Sequence, residues 1–266
     1  EGVIVEVGLA GKVVLITGAS GGLGASMAAA FAAEGAAVAV HYRTRAEGAG
    51  RVVKQIEASG SKAQQFYADL RVEAEIESLV TSVVEQFGGI DCLVNNAGVV
   101  LKAYAEDTDA NHWDDTLNIN LRAPHLLSRA VLPYLKSGGS VIHNSSIHAI
   151  NTVQNFSAYA ASKAGLDALA KAQALEWAEQ GIRVNVVSPG VVPVERTEAV
   201  LEGVKEAWMP HIPLRRYGLP ADIASMVLFL ASEQASWITG QSFIVDGGMS
   251  CRMDMPSRGR MVAPTE

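Results

Sequence analysis

The sequence predicts an α/β chain of the doubly wound class, a parallel sheet with helices on both faces. Three observations predict it. Short β-branched runs alternate with longer Ala-rich stretches from residue 12 to residue 248, which is the rhythm of repeated strand–helix–strand units. The runs are apolar without alternation, as in Val13-Val14-Leu15-Ile16, and that is the mark of strands buried on both faces. The first run passes directly into a glycine-dense turn and then into a stretch free of charge until Glu34.

Each element follows in order. Strands are expected at residues 13–16, 38–40, 65–67, 92–94, 140–143, 183–187 and 242–245. Helices are expected at residues 23–34, 46–58, 72–87, 113–136 and 157–179, and after Pro220. Right-handed crossovers between such strands put a ligand crevice at their carboxyl ends, so every functional residue should map to that edge.

Composition narrows the class. The chain has 266 residues, 49% hydrophobic and 18% charged, enough apolar content to bury a large core and exclude a disordered chain. With 21 basic against 28 acidic residues the net charge is −7, which argues against a nucleic-acid or anionic-membrane surface. No apolar run reaches the ~18 residues of a membrane span. Two cysteines far apart, Cys92 and Cys251, suggest neither a disulfide framework nor a metal site, and a cytoplasmic location is expected. Residues 1–10 lack a secretory pattern, and with Glu1 in place of Met the chain is expected to start within a longer product or after processing. One domain is expected over residues 1–248, and residues 249–266 read as a tail.

The turn after the first strand reads Thr17-Gly18-Ala19-Ser20-Gly21-Gly22-Leu23-Gly24. Such a turn also serves plain strand-to-helix connections. Placed between a strand and a helix, its glycines let backbone approach a pyrophosphate, and the helix N-terminus offers free N–H groups to it. Gly18, Ser20, Gly22, Leu23 and Gly24 are therefore candidate dinucleotide-binding residues. The end of the second strand selects the dinucleotide. An NAD-selective site usually carries Asp or Glu there, whereas this chain reads Tyr42-Arg43-Thr44-Arg45 with no carboxylate before Glu47. Arg43 can pair with a 2′-phosphate and Thr44 can donate to it. NADP(H) is the expected cofactor, with NAD(H) possible. The cluster Arg43, Arg45, Arg51 and Lys54 is the candidate phosphate site.

Tyr159 and Lys163 stand four apart near the start of the long helix, on one face. An ammonium beside a phenol favours the phenolate, so Tyr159 can exchange a proton with a substrate oxygen. Tyr-x-x-x-Lys also arises by chance on helices, with a Lys stem lying along a half-buried Tyr. Ser146, at the end of the strand at 140–144, meets the same crevice and can polarise a carbonyl.

Taken with Asp69-Leu70, Asn95-Asn96-Ala97-Gly98, Asn120 in Leu117-Asn118-Ile119-Asn120, Pro189-Gly190, Ile238-Thr239-Gly240-Gln241 and Val245-Asp246-Gly247-Gly248, the set resembles the short-chain dehydrogenase/reductase family from residue 12 to residue 248. The resemblance implies a single-domain Rossmann-type fold of about seven strands. It implies Tyr159 as general acid/base, Ser146 as the donor orienting the substrate, and Lys163 on the nicotinamide ribose. Asn120 would hold a relay water, Asp69 and Leu70 would face adenine, and Asn95, Asn96, Ala97 and Gly98 the adenosine ribose side. Pro189, Gly190 and Val192 would also bind the cofactor. A homotetramer is implied, with the helices around residues 115–131 and 157–176 pairing between subunits.

Two positions depart from the family. Gly21 stands where many NADP-using relatives carry a basic residue, and Val194 stands where Thr commonly binds the carboxamide, with Thr197 as a substitute only in a rearranged loop. On the substrate side the candidates are Ser146, His148, Gln154 and Tyr159, with Glu195, Arg196, Glu198, Trp208 and His211 in the variable segment. The resemblance extends to glucose-type sugar dehydrogenases and 3-oxoacyl-carrier-protein reductases. It points to oxidation or reduction of a secondary alcohol or carbonyl on a sugar, polyol or sugar acid, alternatively to an acyl-thioester reductase, and from another class to a dinucleotide-binding protein without catalysis.

Overall fold

A computed structural model describes residues 8–251. Its sheet has seven strands: β1 (Val13–Ile16), β2 (Ala37–Tyr42), β3 (Ala63–Tyr67), β4 (Cys92–Asn95), β5 (Ser140–Asn144), β6 (Arg183–Pro189) and β7 (Ser242–Val245). Their spatial order is β3-β2-β1-β4-β5-β6-β7, and every neighbouring pair is parallel. Chain order reverses between β1 and β4, so the crevice lies above that pair. β1, β4, β5 and β6 are buried along their whole length, and β1 accordingly carries four apolar residues in a row. The edge strands β3 and β7 are partly exposed.

The helices are α1 (Gly22–Ala33), α2 (Ala46–Ala58), α3 (Glu73–Phe87), α4 (Ala110–Leu117), α5 (Ala123–Val131), α6 (Ser157–Trp177), α7 (Glu198–Gly203), α8 (Lys205–Trp208) and α9 (Pro220–Ala231). Alternation along β1 divides the core. Val14 and Ile16 face one layer with Met27 and Phe31 of α1 and Ile223 and Val227 of α9. Val13 and Leu15 face the other, with Ile76 and Val80 of α3, Leu127 of α5 and Ala170 and Trp177 of α6. Each large side chain so buried contributes about 1.5–3 kcal/mol. Arg183, at the start of β6, donates to the carbonyls of Leu230 (2.6 Å), Ser232 (3.1 Å) and Ala231 (3.3 Å), satisfying the end of α9.

The single helix expected at 113–136 is instead α4, a wide turn at Asn118–Arg122, α5 and a tight turn at Leu132–Tyr134. In the wide turn the Ala123 N–H donates to the Asn118 carbonyl, five residues back. No residue type marks such a wide turn, so the sequence pattern does not show where it falls. The wide turn leaves Asn120 fully buried, its amide against the Val99 backbone and Ser162 of α6. Smaller corrections are that β6 runs on to Pro189 and that α6 stops at Trp177, closed by a tight turn over Ala178–Gln180. Of the tail expected at 249–266, Met249–Cys251 form a tight turn. Its Arg252, Arg258 and Arg260 lie outside the described residues. No helix among the described residues is long and apolar enough to cross a membrane.

Candidate active site

The turn after β1 is held from two sides. Thr17 Oγ1 accepts from the backbone N–H of Asn96 and of Ala97, each at 2.9 Å. Asn96 Nδ2 donates to the carbonyls of Thr17 (2.8 Å) and Gly18 (3.3 Å), while its Oδ1 accepts from Asn144 Nδ2 at 2.9 Å. The glycines are required by close approach. A Cβ on Gly24 would stand 2.6 Å from the Gly18 carbonyl and from Asn96 Nδ2. Gly18 has φ +64° with the Ala97 backbone 3.0 Å from any Cβ, a conformation that disfavours every other residue.

His41, buried on β2, supports the same turn. Its Nδ1 accepts from the Gly18 N–H (3.1 Å), and Nε2 faces the Ala68 carbonyl at 3.0 Å, which requires the proton there. Burial is the main cause that pushes its pKa down to about 4, against the opposing pull of Ala68 and Asp69.

A cleft of about 410 Å³ opens above β1 and β4. Gly18, Ser20, Gly22, Leu23 and Gly24 line it, with Tyr42, Arg43, Thr44, Leu70, Asn96, Ala97, Gly98, Ser146, Tyr159, Lys163, Pro189, Gly190 and Val192. Asn120 stands behind the lining and Asp69 beside it. The Asp69 carboxylate is engaged by Arg71 and lies 3.9 Å from Arg43, and the Arg71 hydrogen bond chiefly draws its pKa down to about 2. Asn95 points away from the cleft, with Nδ2 contacting Ser128 Oγ and His143 Nδ1, both at 3.2 Å. Arg51 and Lys54 are absent from the lining, but Arg45 belongs to it. The Arg45 guanidinium lies 2.9 Å from where a Cβ on Gly21 would stand. A cation from the end of β2 thereby fills the space over the turn that a basic residue at position 21 would fill.

Ser146, Tyr159 and Lys163 come together in the cleft lining. Lys163 Nζ, buried, donates to the Asn144 carbonyl (2.8 Å) and lies 5.7 Å from the Tyr159 ring centre. Burial lowers its pKa to about 8, with Asp167 opposing. Burial pushes the Tyr159 phenol up, while a hydrogen bond with Ser146 and the charge of Arg196 draw it back. Asn120 Nδ2 donates to the Val99 carbonyl (2.9 Å) and Ser162 Oγ (3.1 Å), and its Oδ1 accepts from the Val99 N–H (2.8 Å).

His148 stacks on Phe156 at 4.5 Å and meets the Tyr159 ring edge-on at 5.7 Å. Its Nδ1 pairs with Thr152 Oγ1 at 2.9 Å, and burial lowers its pKa. His148 and Gln154 are not in the cleft lining, and Gln154 is exposed. The loop after β6 adds Val194, Glu195, Arg196 and Thr197 to the lining. Thr197 Oγ1 is tied to its own loop, accepting from the Val194 N–H at 3.1 Å. The Glu195 carboxylate accepts from the Gly22 N–H at 3.1 and 3.4 Å, so the N-terminus of α1 already holds an anionic group. Replacing Glu195 with Gln should strengthen dinucleotide binding by about two- to five-fold in a fluorescence titration, because the two anions compete for one N–H and its dipole. Equal affinity in both forms would show that they do not compete.

A doubly wound sheet with a glycine cradle at its switch point and a Tyr–Lys–Ser group opposite defines a dinucleotide-dependent oxidoreductase. A family model described as Enoyl-(Acyl carrier protein) reductase matches residues 18–250. The chain belongs to the short-chain dehydrogenase/reductase family. It is 38% identical over 247 residues to 3beta-hydroxysteroid dehydrogenase 1 of Eggerthella lenta, covering 91% of this chain and 95% of that protein. It is 37% identical to a 3-oxoacyl-(acyl-carrier-protein) reductase of Thermotoga maritima, covering 91% and 98%. A short-chain dehydrogenase of Burkholderia cenocepacia J2315, solved in complex with NADP, superposes with a TM-score of 0.85 at 34% identity, over 91% and 98% of the two chains.

Proposed function

We propose that this oxidoreductase prefers NADP(H) and interconverts a secondary alcohol and a carbonyl on a sugar, polyol or sugar acid, with Tyr159 as general acid/base. The observation that carries the reading is the convergence of Tyr159, Lys163 and Ser146 in the glycine-lined cleft. The residues fit a dinucleotide. A carboxylate rests on the Gly22 N–H where a phosphate oxygen would, and Gly24 gives up the volume of a Cβ. When bound, the nicotinamide supplies or takes the hydride.

The chain's own residues do the rest. Ser146 orients the substrate oxygen, Tyr159 gives it a proton in reduction and takes one in oxidation, and Lys163, charged below pH ~8, holds the ribose and favours the phenolate. Asn120, fixed by three hydrogen bonds, would hold the relay water. The second reading, reduction of a 3-oxoacyl thioester, is favoured by the likeness to the T. maritima reductase. Turnover assays with both cofactors on aldoses, sugar acids, cyclic alcohols and 3-oxoacyl thioesters decide between them. No turnover on any, with cofactor bound, would favour a non-catalytic binder.

Cofactor preference rests on Tyr42, Arg43, Thr44 and Arg45 at the end of β2 and on the NADP held by the B. cenocepacia relative. Arg43→Ala should weaken NADPH about 10- to 100-fold, the worth of a hydrogen bond to a charged group, and NADH far less. Equal losses would refute the preference. A cytoplasmic homotetramer belongs to the same reading: Leu175 of α6 and Trp237 are 82% and 99% exposed, and β7 leaves an open edge. Residues 1–248 would form the oxidoreductase domain and 249–266 a tail.

A further inference from the structure

Asn144 ends β5 at the carboxyl edge of the sheet and lines the cleft with Gly18, Asn96 and Lys163. The β4–β5 ladder stops at Asn95 opposite His143, one residue short of Asn144. The Asn144 carbonyl thus lies past the end of that ladder, and Lys163 Nζ donates to it at 2.8 Å. The ammonium charge strengthens this hydrogen bond.

The side chain of the same residue holds a different group. It is 7% exposed, and its Nδ2 donates to Asn96 Oδ1 at 2.9 Å. Its Oδ1 is buried without a donor among the described residues, so the bond to Asn96 is what fixes the amide. Asn96 is fixed in turn by the glycine turn. Its Nδ2 donates to the carbonyls of Thr17 (2.8 Å) and Gly18 (3.3 Å), and its backbone N–H donates to Thr17 Oγ1 (2.9 Å). An unbroken line of hydrogen bonds therefore runs from Lys163 through Asn144 and Asn96 to Gly18. Both of its ends face the dinucleotide: the turn offers backbone N–H groups to a pyrophosphate, and Lys163 is the anchor for the nicotinamide ribose.

We propose that Asn144 is a positioning residue that ties the dinucleotide turn to Lys163: its side chain takes its place from the turn through Asn96, and its carbonyl holds the ammonium. The pyrophosphate and ribose anchors are thereby kept at one separation, the one that sets the nicotinamide against Tyr159. This rests on the reading of Lys163 as the ribose anchor. A buried amide with an unfilled acceptor is costly, so an apolar side chain of similar size should leave the fold as stable as before and act on binding alone.

Asn144→Leu keeps the carbonyl and the volume and removes the link. NADPH binding, followed by the fluorescence of the bound nicotinamide, should weaken about 3- to 10-fold, the worth of one hydrogen bond. Adenosine 2′,5′-bisphosphate, which has no nicotinamide ribose to reach Lys163, should bind as it does to the parent, and the urea midpoint should hold. In an Asn96→Ala background the same substitution should weaken NADPH no further, because the line is already cut. Parental NADPH affinity, an equal loss for both ligands, or additive losses in the double variant overturns the proposal. Should Asn144→Leu not fold, Asn144→Thr gives the same comparison. Lys163→Met is titrated alongside. If NADPH affinity survives Lys163→Met, the reading of Lys163 as ribose anchor is what fails; if it drops there and not in Asn144→Leu, the link through Asn144 is what fails.

Discussion

Tyr159→Phe lowers turnover by about 10²–10⁴-fold, the usual contribution of a positioned proton donor, while NADPH binding stays close to that of the parent. The substitution is clean because packing, not the hydroxyl, places the ring. Tyr159 lies edge-on to the rings of His148 (5.7 Å) and Phe156 (5.9 Å), and the phenyl ring keeps both contacts. What is lost is one oxygen, the hydrogen bond with Ser146 and the proton that oxygen carries. The folding cost is about 1 kcal/mol, too small to disguise a catalytic effect. Burial biases the phenol toward its protonated form, so oxidation of an alcohol by the parent should rise with pH and that rise should vanish in the Phe variant. Steady-state rates with a cofactor titration on the same sample check both parts. A Phe variant that retains more than a tenth of parental turnover would sink the role assigned to Tyr159.

Acid should unfold this chain from within. Burial, the leading cause, pushes His41 and His143 each down to about 4, from about 6.5 for a free imidazole. A folded value below the unfolded one means that the unfolded chain binds more protons, so stability falls as pH drops from about 6.5 to about 4. Each histidine then costs about 3 kcal/mol at the lower end, and the pair together a large share of a typical 5–15 kcal/mol. Protonation also places a donor opposite a donor at the Gly18 N–H, so the dinucleotide turn should loosen over the same range. Urea midpoints at pH 7 and pH 4.5 measure the effect. A midpoint that stays constant, or a fall that His41→Gln and His143→Gln do not lessen, would contradict it.

Much of the scaffold is written in short-range pattern. β1 and β4 were legible because burial on both faces leaves runs of apolar residues, β5 by its Val141-Ile142 centre, and α2 because its buried residues keep helical spacing. The glycine turn was legible because Gly18 and Gly24 sit where no side chain fits. What escaped depends on partners distant in the chain. His41 looks like any strand residue until Gly18 is set against it, 23 positions away. Glu195 meets Gly22 across 173 positions. Arg45 belongs to the phosphate cluster that the sequence suggests, but the approach of its guanidinium to Gly21, 24 positions earlier, emerges only in the fold. The resemblance assigns Asp69 to adenine, and the hold of Arg71 on its carboxylate emerges only in the fold.

The all-parallel sheet has a consequence for how the enzyme comes into being. No two neighbouring strands are joined by a hairpin, and the central pair aligns Val14 with Cys92, so each ladder waits for a distant stretch of chain. Contact order is high, and such chains fold slowly. The cleft wall draws on residues from Gly18 to Thr197, so a chain leaving the ribosome has no working fragment of a site until most of it has been made. Binding competence therefore arrives late and as a whole, and a cofactor pool can rescue only molecules that have already completed the sheet.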